Sequence, residues 1–238
     1  GKKINSAADD AAGFAIAERM TAQVRGLNMA TKNANDGLSM LATIENATND
    51  VTDMLHRMRE LAVQAANDTN SSTDRGYLQT EVTALIAEID RVASDTKYNG
   101  TAVLDGTFTS KKLQVGTEAA QSITFSVSDV DATALAVNAA DISTQAGAAT
   151  ALTSISAAIE TVAGQRATYG ALQNRLEYTV SNLMNVSEFT QAARSRIEDA
   201  DFAAESARLS KAQVLQQTGT AMLAQANASQ QLALSLFR

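Results

Sequence analysis

The chain has 238 residues, an apolar fraction of 45% and a formal net charge of -7 at neutral pH. The apolar fraction excludes wholesale disorder, and the acidic balance excludes the basic footprint that nucleic acids and anionic membranes require. The absence of cysteine excludes disulfides, thiolate metal sites and a cysteine nucleophile.

The composition favours long helices. Proline, which breaks helix interiors, is absent, and aromatic residues make up only 4% of the chain. The apolar residues are therefore mostly Ala, Leu, Val, Ile and Met, which are typical of helix-packing seams. No run approaches ~18 consecutive apolar residues and no apolar signal segment opens the chain, so the sequence predicts neither a membrane span nor a cleaved signal.

An apolar heptad in the first third of the chain predicts a coiled-coil helix over about residues 8–66. Polar residues 67–72 offer turn and capping oxygens and predict the end of this helix. The spacing in the seam alternates between four and three residues, and its members are Met40, Ile44, Ala47, Val51, Met54, Met58, Leu61 and Ala65.

The same period predicts a second helix over about residues 74–95, folded back against the first within an N-terminal region of residues 1–97. Its apolar positions are Leu78, Val82, Leu85, Ile89 and Val92. A third helix is predicted within residues 145–195, with a seam of Leu152, Ile155, Ile159, Val162, Tyr169, Leu176, Val180 and Leu183. We interpret Arg166 and Gln173, which interrupt this seam, as polar residues that set the helix register.

The helical period disappears in residues 98–144, where Asn99-Gly100 and Asp105-Gly106 supply turn chemistry. Alternating apolar residues predict two short strands in this segment, one with Leu113 and Val115 and the other with Ile123, Phe125 and Val127. Asp129-x-Asp131 faintly resembles a calcium loop, but the remaining ligand positions do not follow, so we interpret it as a solvated turn. The predicted fold class is mainly α, a long antiparallel helical bundle with a small β-hairpin-containing segment in the middle.

The last segment, residues 196–238, has apolar residues without an obvious partner within the chain. A helix is predicted over residues 206–238 because the segment is rich in Ala, Gln and Leu. Its broad apolar face, predicted to be a surface for assembly or for an escort protein, comprises Val214, Leu215, Met222, Leu223, Leu232 and Leu236.

Seven blocks of sequence resemble bacterial flagellin, in the same order along the chain. The blocks are Gly1–Gly13, Ala15–Met20, Arg57–Ala65, Glu88–Val92, Arg196–Phe202, Ser210–Gln217 and Leu234–Arg238. The resemblance implies a secreted structural subunit that self-assembles into the extracellular filament of the bacterial flagellum for motility. It also implies export through a type III channel and a flagellar chaperone that binds the C-terminal segment. Compared with the family pattern, we expect the N-terminal-most apolar segment and the large outer domains to be missing.

The resemblance further implies recognition by a Toll-like innate immune receptor of hosts. The positions that match the family motif are Arg57, Leu61 and Glu81. For Leu61 a place in the apolar seam is an equally good interpretation, and the two charged residues are otherwise ordinary solvated helix positions.

The sequence does not favour either of two other classes of function. An enzyme is not predicted and no cofactor or metal is expected, because the single histidine, His56, cannot form a histidine-rich metal cluster or an H-E-x-x-H site. A flagellin-like hook–filament junction protein or a secreted coiled-coil adaptor would share the helical period. Only the paired motifs at the two ends separate these proteins from flagellin.

Overall fold

A computed structural model describes residues 1–235, and the side chains up to residue 228. Within this range the chain forms four helices, α1 (Ala11–Ala65), α2 (Ser72–Asp95), α3 (Gln145–Glu198) and α4 (Phe202–Ser235). It also forms four short strands, β1 (Lys97–Tyr98), β2 (Thr101–Ala102), β3 (Lys111–Gln114) and β4 (Ser122–Phe125). The mainly α fold that the sequence predicts is confirmed.

The residues fall into two compact units. The larger unit is formed by residues 23–188, and the smaller unit by residues 1–22 together with the chain from residue 189 onward. Because α1 and α3 are continuous across the boundary, each contributes residues to both units.

The start of α1 is set by an aspartate. Asp10 Oδ1 accepts hydrogen bonds from the backbone N–H groups of Ala12 at 3.1 Å and Gly13 at 3.0 Å. These donors have no partner inside the helix, so a carboxylate at this position satisfies them. The helix therefore begins at Ala11, three residues later than the apolar pattern alone suggests.

The turn between α1 and α2 is closed by side chains from both directions. Ser71 and Asp74 form a capping box at the N-terminus of α2, which therefore begins at Ser72 rather than near residue 74. Arg75, in the first turn of α2, donates back to the carbonyl oxygens of Ala65 at 2.7 Å and Asn67 at 3.0 Å. One arginine thus satisfies backbone acceptors at the end of α1 and fixes where α2 starts.

The core of the larger unit contains the apolar seams of α1, α2 and α3. Seven of the eight predicted α1 positions are buried, but Met54 is only half-buried and Leu55 is fully buried in its place. The α1 side of the core is wider than a two-helix seam, since Leu41, Thr48 and Ala62 are fully buried as well. A helix that packs against more than one neighbour needs such a broad apolar face.

Arg166, which interrupts the apolar seam of α3, forms an ion pair with Glu45 of α1. Arg166 donates from Nε at 2.9 Å and from Nη2 at 2.7 Å to Oε1 of Glu45. Both side chains are about one-third exposed, at 30% and 33%, so neither charge is isolated from water. The two hydrogen bonds form only when Arg166 and Glu45 lie side by side on the two helices, which fits the interpretation that Arg166 sets register.

The two predicted strands pair as an antiparallel hairpin, β3–β4, although Val115 and Val127 lie just outside them, and the turn residues Asn99 and Gly100 belong to a further hairpin that was not predicted. Asn99 and Gly100 have φ values of +48° and +78°, the left-handed region that a two-residue hairpin turn requires, and they join β1 to β2. In the second hairpin Leu113 of β3 pairs with Ile123 of β4. This hairpin lies close to α1 at Gly37, where a Cβ atom would come within 2.6 Å of Leu113 Cδ1.

Residues 126–144, here called the strap, were not predicted as a packed element apart from Val127, which was wrongly placed in a strand that ends at Phe125. They form neither helix nor strand, yet their apolar side chains enter the core at intervals that alternate between three and two residues. The buried members are Val127, Val130, Ala132, Leu135, Val137, Ala140 and Ile142. The strap therefore completes the core along α2 and α3 without regular secondary structure of its own.

Three helix side chains form hydrogen bonds with four backbone groups of the strap. Gln79 Oε1 accepts from the Ile142 N–H at 2.6 Å, and its Nε2 donates to the Ala140 carbonyl at 3.2 Å. Asp90 Oδ1 accepts from the Ala132 N–H at 2.8 Å. Tyr169 Oη accepts from the Ser128 N–H at 3.2 Å, while burial of the Tyr169 phenol raises its pKa.

In the smaller unit the first residues of the chain pair with the segment that follows α3. The Lys3 N–H donates to the Glu198 carbonyl at 2.6 Å, and the Ala200 N–H donates to the Gly1 carbonyl at 2.9 Å. The Lys2 ammonium forms an ion pair with the Glu198 carboxylate. Ile4 is buried at 4% exposure, so this short pairing also encloses an apolar side chain.

Among the helices of the described residues, one is long and apolar enough to cross a membrane by length and composition alone, and it is α3. Its apolar positions Ile155, Val162 and Leu176 are already buried in the core of the larger unit. These side chains therefore have an apolar environment within the protein.

We expect Gln79→Ala to lower the free energy of unfolding by about 1–3 kcal/mol, because a backbone donor and a backbone acceptor of the strap lose their partner together. Urea unfolding followed by circular dichroism measures the change. The matched control is Thr80→Ala, since the Thr80 hydroxyl bonds only within its own helix, to the Gly76 carbonyl. Equal unfolding midpoints for the two variants would contradict the role given to Gln79.

Candidate interaction surfaces

Several of the large apolar side chains that are exposed among the described residues lie on α4. Asp201 caps this helix by accepting from the N–H groups of Ala203 at 2.9 Å and Ala204 at 3.2 Å. Beyond the cap, the large apolar side chains of α4 are between 57% and 84% exposed: Phe202, Leu209, Val214, Leu215, Met222 and Leu223. The helix thus has a capped N-terminus, and these six described side chains are exposed on it.

The apolar residues of α4 are not confined to one stripe. Phe202 and Leu209 are seven residues apart and share one side of the helix, whereas Leu215 and Met222, also seven apart, share another. A helix that is apolar on several sides is typical of a helix surrounded by other elements. The surface on α4 therefore has the character of a core position rather than of a single docking edge.

Four of the six predicted tail residues, Val214, Leu215, Met222 and Leu223, lie on this surface. Leu232 is within α4 at a position whose side chain is not described, and Leu236 lies outside the described residues. Phe202 and Leu209 also belong to this surface, although they were not among the predicted residues. Their seven-residue spacing was a usable signal, because it places both on one side of the helix.

A second candidate surface lies where α1 and α2 meet. Arg57 Nε donates to Glu81 Oε1 at 2.7 Å, and Arg57 Nη1 donates to Glu60 Oε2 at 3.1 Å. The hydrogen bond to Glu81, followed by that to Glu60, raises the pKa of the Arg57 guanidinium. The pair is open to solvent, with side chains 50% and 44% exposed, so a fixed arrangement of opposite charges faces outward.

The structure separates the third predicted residue of this group from the other two. Leu61 is 1% exposed and belongs to the core cluster of the larger unit. Of the two interpretations that the sequence left open, the structure places the Leu61 side chain in the apolar seam. His56, which precedes Arg57, is exposed on α1.

Other exposed apolar side chains on the larger unit were not selected from the sequence. Tyr77 on α2 is 72% exposed, and Tyr178 and Met184 on α3 are 79% and 58% exposed. All three fall outside the apolar seams, so the periodicity that identifies core residues could not predict their exposure. Their exposure adds apolar contact area to the outer faces of α2 and α3.

The described residues define a class of protein, a long-helix protein in which one helix, α4, carries exposed large apolar side chains. Two family models match this chain. The bacterial flagellin N-terminal helical region matches residues 1–109, and the bacterial flagellin C-terminal helical region matches residues 152–237.

Individual relatives match over the whole chain. A flagellin of Halalkalibacterium halodurans is 43% identical over 100% of this chain and 88% of its own length. The flagellar filament 33 kDa core protein of Treponema phagedenis is 42% identical over 100% of this chain and 89% of its own length. The crystal structure of Bacillus cereus flagellin superposes with a TM-score of 0.58 at 32% identity, covering 64% of this chain and 88% of that one.

The chain belongs to the bacterial flagellin family. It is accordingly a structural subunit of the flagellar filament, and its place is outside the cell in the bacterial flagellum. The match to both end regions, which a generic coiled-coil adaptor would not share, selects flagellin from the alternatives that the helical period left open.

Proposed function

We propose that α4 carries the assembly of this filament subunit, and that its apolar surface is occupied by helices of neighbouring copies of the chain. The observation that supports this is the exposure of six large apolar side chains on one capped helix. Burying a Leu, Met or Phe side chain stabilises by about 1.5–3 kcal/mol, so contact with another copy would gain several such contributions. Within the described part of α4 no comparable burial is available to these residues.

The distribution of apolar residues around α4 supports contact with more than one neighbour. Residues on one side of the helix, such as Leu209, and residues on another, such as Leu215, need different partners. When one surface of a subunit binds a different surface of the next, the contact repeats without closing, and a helical filament results. The arrangement on α4 suits such an open assembly better than a symmetric dimer, which would cover only one side.

We expect the double variant Leu215→Ser/Met222→Ser to grow filaments more slowly and to a lower final mass, because both side chains are exposed on one side of α4. Seeded polymerisation, followed by sedimentation and electron microscopy, measures the loss. The control is Gln216→Ser/Gln217→Ser, which introduces the same residue type on exposed positions of the same helix and removes no apolar area. The assignment fails if the two double variants polymerise equally well.

Before assembly, the same surface is a candidate for the flagellar export chaperone. An exposed apolar patch favours unwanted association until it is covered, so a subunit awaiting type III export benefits from an escort that binds there. Because chaperone and neighbouring subunits would occupy the same side chains, binding of one should exclude the other. This mutual exclusion distinguishes the proposal from a chaperone that binds the folded bundle.

We expect Leu223→Ser to weaken binding of the flagellar export chaperone, because Leu223 is 66% exposed on α4. Titration calorimetry of the full chain with the chaperone measures the affinity, and an excess of chaperone should also stop elongation of filament seeds. Tyr178→Ser is the control, since Tyr178 is more exposed, at 79%, but lies on α3. Equal weakening by both variants would place the chaperone elsewhere.

No catalytic chemistry is needed for this role. His56 lies exposed on a helix face, and Asp129 and Asp131 accept hydrogen bonds from nearby backbone N–H groups within a turn. These positions fit the family's structural role, and the proposed activity of the chain rests on surface contacts alone.

The exposed ion pair of Arg57 and Glu81 is the proposed contact for a Toll-like innate receptor. It presents a guanidinium and a carboxylate at a fixed separation, held by hydrogen bonds on one solvent-exposed face of α1 and α2. When a partner carries complementary charges, charged groups arranged in this way make its binding more specific and its association faster. Leu61 would contribute by keeping α1 packed, because its side chain is buried.

We expect Arg57→Ala to lower receptor affinity without lowering helical content. Surface plasmon resonance with the receptor ectodomain and far-UV circular dichroism are the two measurements. Arg91→Ala is a closely matched control. Arg91 is also exposed and also pairs with two carboxylates, Glu88 and Asp95, but all three lie further along α2 than Glu81. Unchanged affinity for Arg57→Ala, or equal losses for both variants, would remove this assignment.

A further inference from the structure

Three Asx-Gly pairs occur in the chain, and the structure gives each a different environment. They are Asp36-Gly37 in α1, Asn99-Gly100 in the β1–β2 turn and Asp105-Gly106 in the loop before β3. An Asx-Gly sequence is chemically reactive because the glycine lacks a side chain that would hinder attack by its own backbone nitrogen on the preceding side chain. Whether the reaction occurs in the folded chain depends on the hydrogen bonds and packing contacts that restrain the glycine nitrogen and the Asx side chain.

Asn99-Gly100 is the pair with the fewest restraints. Both residues are exposed, and nothing lies within 4 Å of the position that a Gly100 Cβ atom would occupy. Among the hydrogen bonds of the described residues, none uses the Asn99 side chain or the Gly100 N–H. The flanking strands β1 and β2 are two residues each, so few ladder hydrogen bonds oppose opening of the turn.

Packing or hydrogen bonds restrain the other two pairs, Asp36-Gly37 and Asp105-Gly106. Gly37 lies in the middle of α1, where its N–H belongs to the helical ladder, and Leu113 packs against its Cα. Asp105 Oδ1 accepts from Thr107 Oγ1 at 2.7 Å and from the Thr107 N–H at 3.1 Å. These bonds lower the pKa of the Asp105 carboxyl, which keeps it in the charged form that backbone nitrogen attacks poorly.

We propose that Asn99 is a site of spontaneous deamidation in the folded protein, with Gly100 supplying the nucleophile. The Gly100 backbone nitrogen loses its proton and forms a bond to Asn99 Cγ, and the side-chain nitrogen leaves as ammonia. The product is a five-membered succinimide. Water then opens the ring at either carbonyl carbon, which gives aspartate or isoaspartate at position 99 without any oxidant or reductant.

The modification has a structural consequence that is specific to this turn. Either product adds a negative charge to a chain whose net charge is already -7. The isoaspartate product also adds one methylene to the backbone of a two-residue turn, which disturbs the register of Lys97 opposite Ala102. Next to the turn, the Tyr98 hydroxyl donates to the Asp36 carbonyl of α1 at 3.2 Å, so a displaced hairpin loosens this attachment.

The test is peptide mapping of the full, folded chain by mass spectrometry after incubation at mildly alkaline pH, with fragmentation that separates aspartate from isoaspartate. We expect both products to accumulate at position 99, faster than at Asn174, which is also exposed but helical. Positions 36 and 105 should show no isoaspartate. Gly100→Asn should slow the reaction, because asparagine tolerates the positive φ of this turn and places a side chain on the attacking residue.

A parallel incubation in urea identifies the state that reacts. If Asn99 keeps its amide in the folded chain and loses it only in urea, the native turn protects the residue and the proposal is wrong. Equal rates at Asn99 and Asn174 in the folded chain would also overturn it. Deamidation at Asn99 in the folded chain that is abolished by Gly100→Asn, with unchanged circular dichroism, supports it.

Discussion

The structure depends on a contrast in how apolar helix surface is covered. In the larger unit α1, α2 and α3 bury their apolar residues against one another and against the strap, so that Ile44, Met58 and Ile155 are fully or almost fully removed from water. On α4 side chains of the same kinds remain exposed. Since burial of apolar area is the dominant favourable term in folding and association, the first set stabilises the fold and the second is available for assembly.

Apolar periodicity in the sequence predicts the helices well because a long helix depends mainly on its own residues. The heptads, the absence of proline and the polar cluster at residues 67–72 are all local, and α1, α2 and α3 follow them closely. The ends were less predictable, since they depend on single side chains. Asp10, Ser71 and Arg75 each fix a helix end through hydrogen bonds whose geometry no periodic pattern contains.

The packing of the strap could not be predicted from apolar periodicity. Beyond Val127, its apolar spacing of three and two residues matches neither the period of a helix nor that of a strand, so it predicts neither element. Four of its backbone groups are satisfied by distant side chains, Gln79, Asp90 and Tyr169, which are ordinary polar or aromatic residues in the sequence of α2 and α3. Only the folded arrangement reveals that these three residues secure a segment that lies 41 to 63 positions away.

The same limit applies to the candidate surfaces, and the reason is physical. Leu61 and Leu215 are both apolar residues on long helices, yet one is 1% exposed and the other 60% exposed. A periodic sequence shows that a helix has an apolar side, but it does not show whether that side is covered by the same chain or by another one. The core cluster of the larger unit buries Leu61 among residues of α1, α2, α3 and the strap, whereas Leu215 lies on a helix whose described large apolar side chains are exposed. For a filament subunit, the apolar residues that its own fold leaves exposed are therefore the ones that can drive growth.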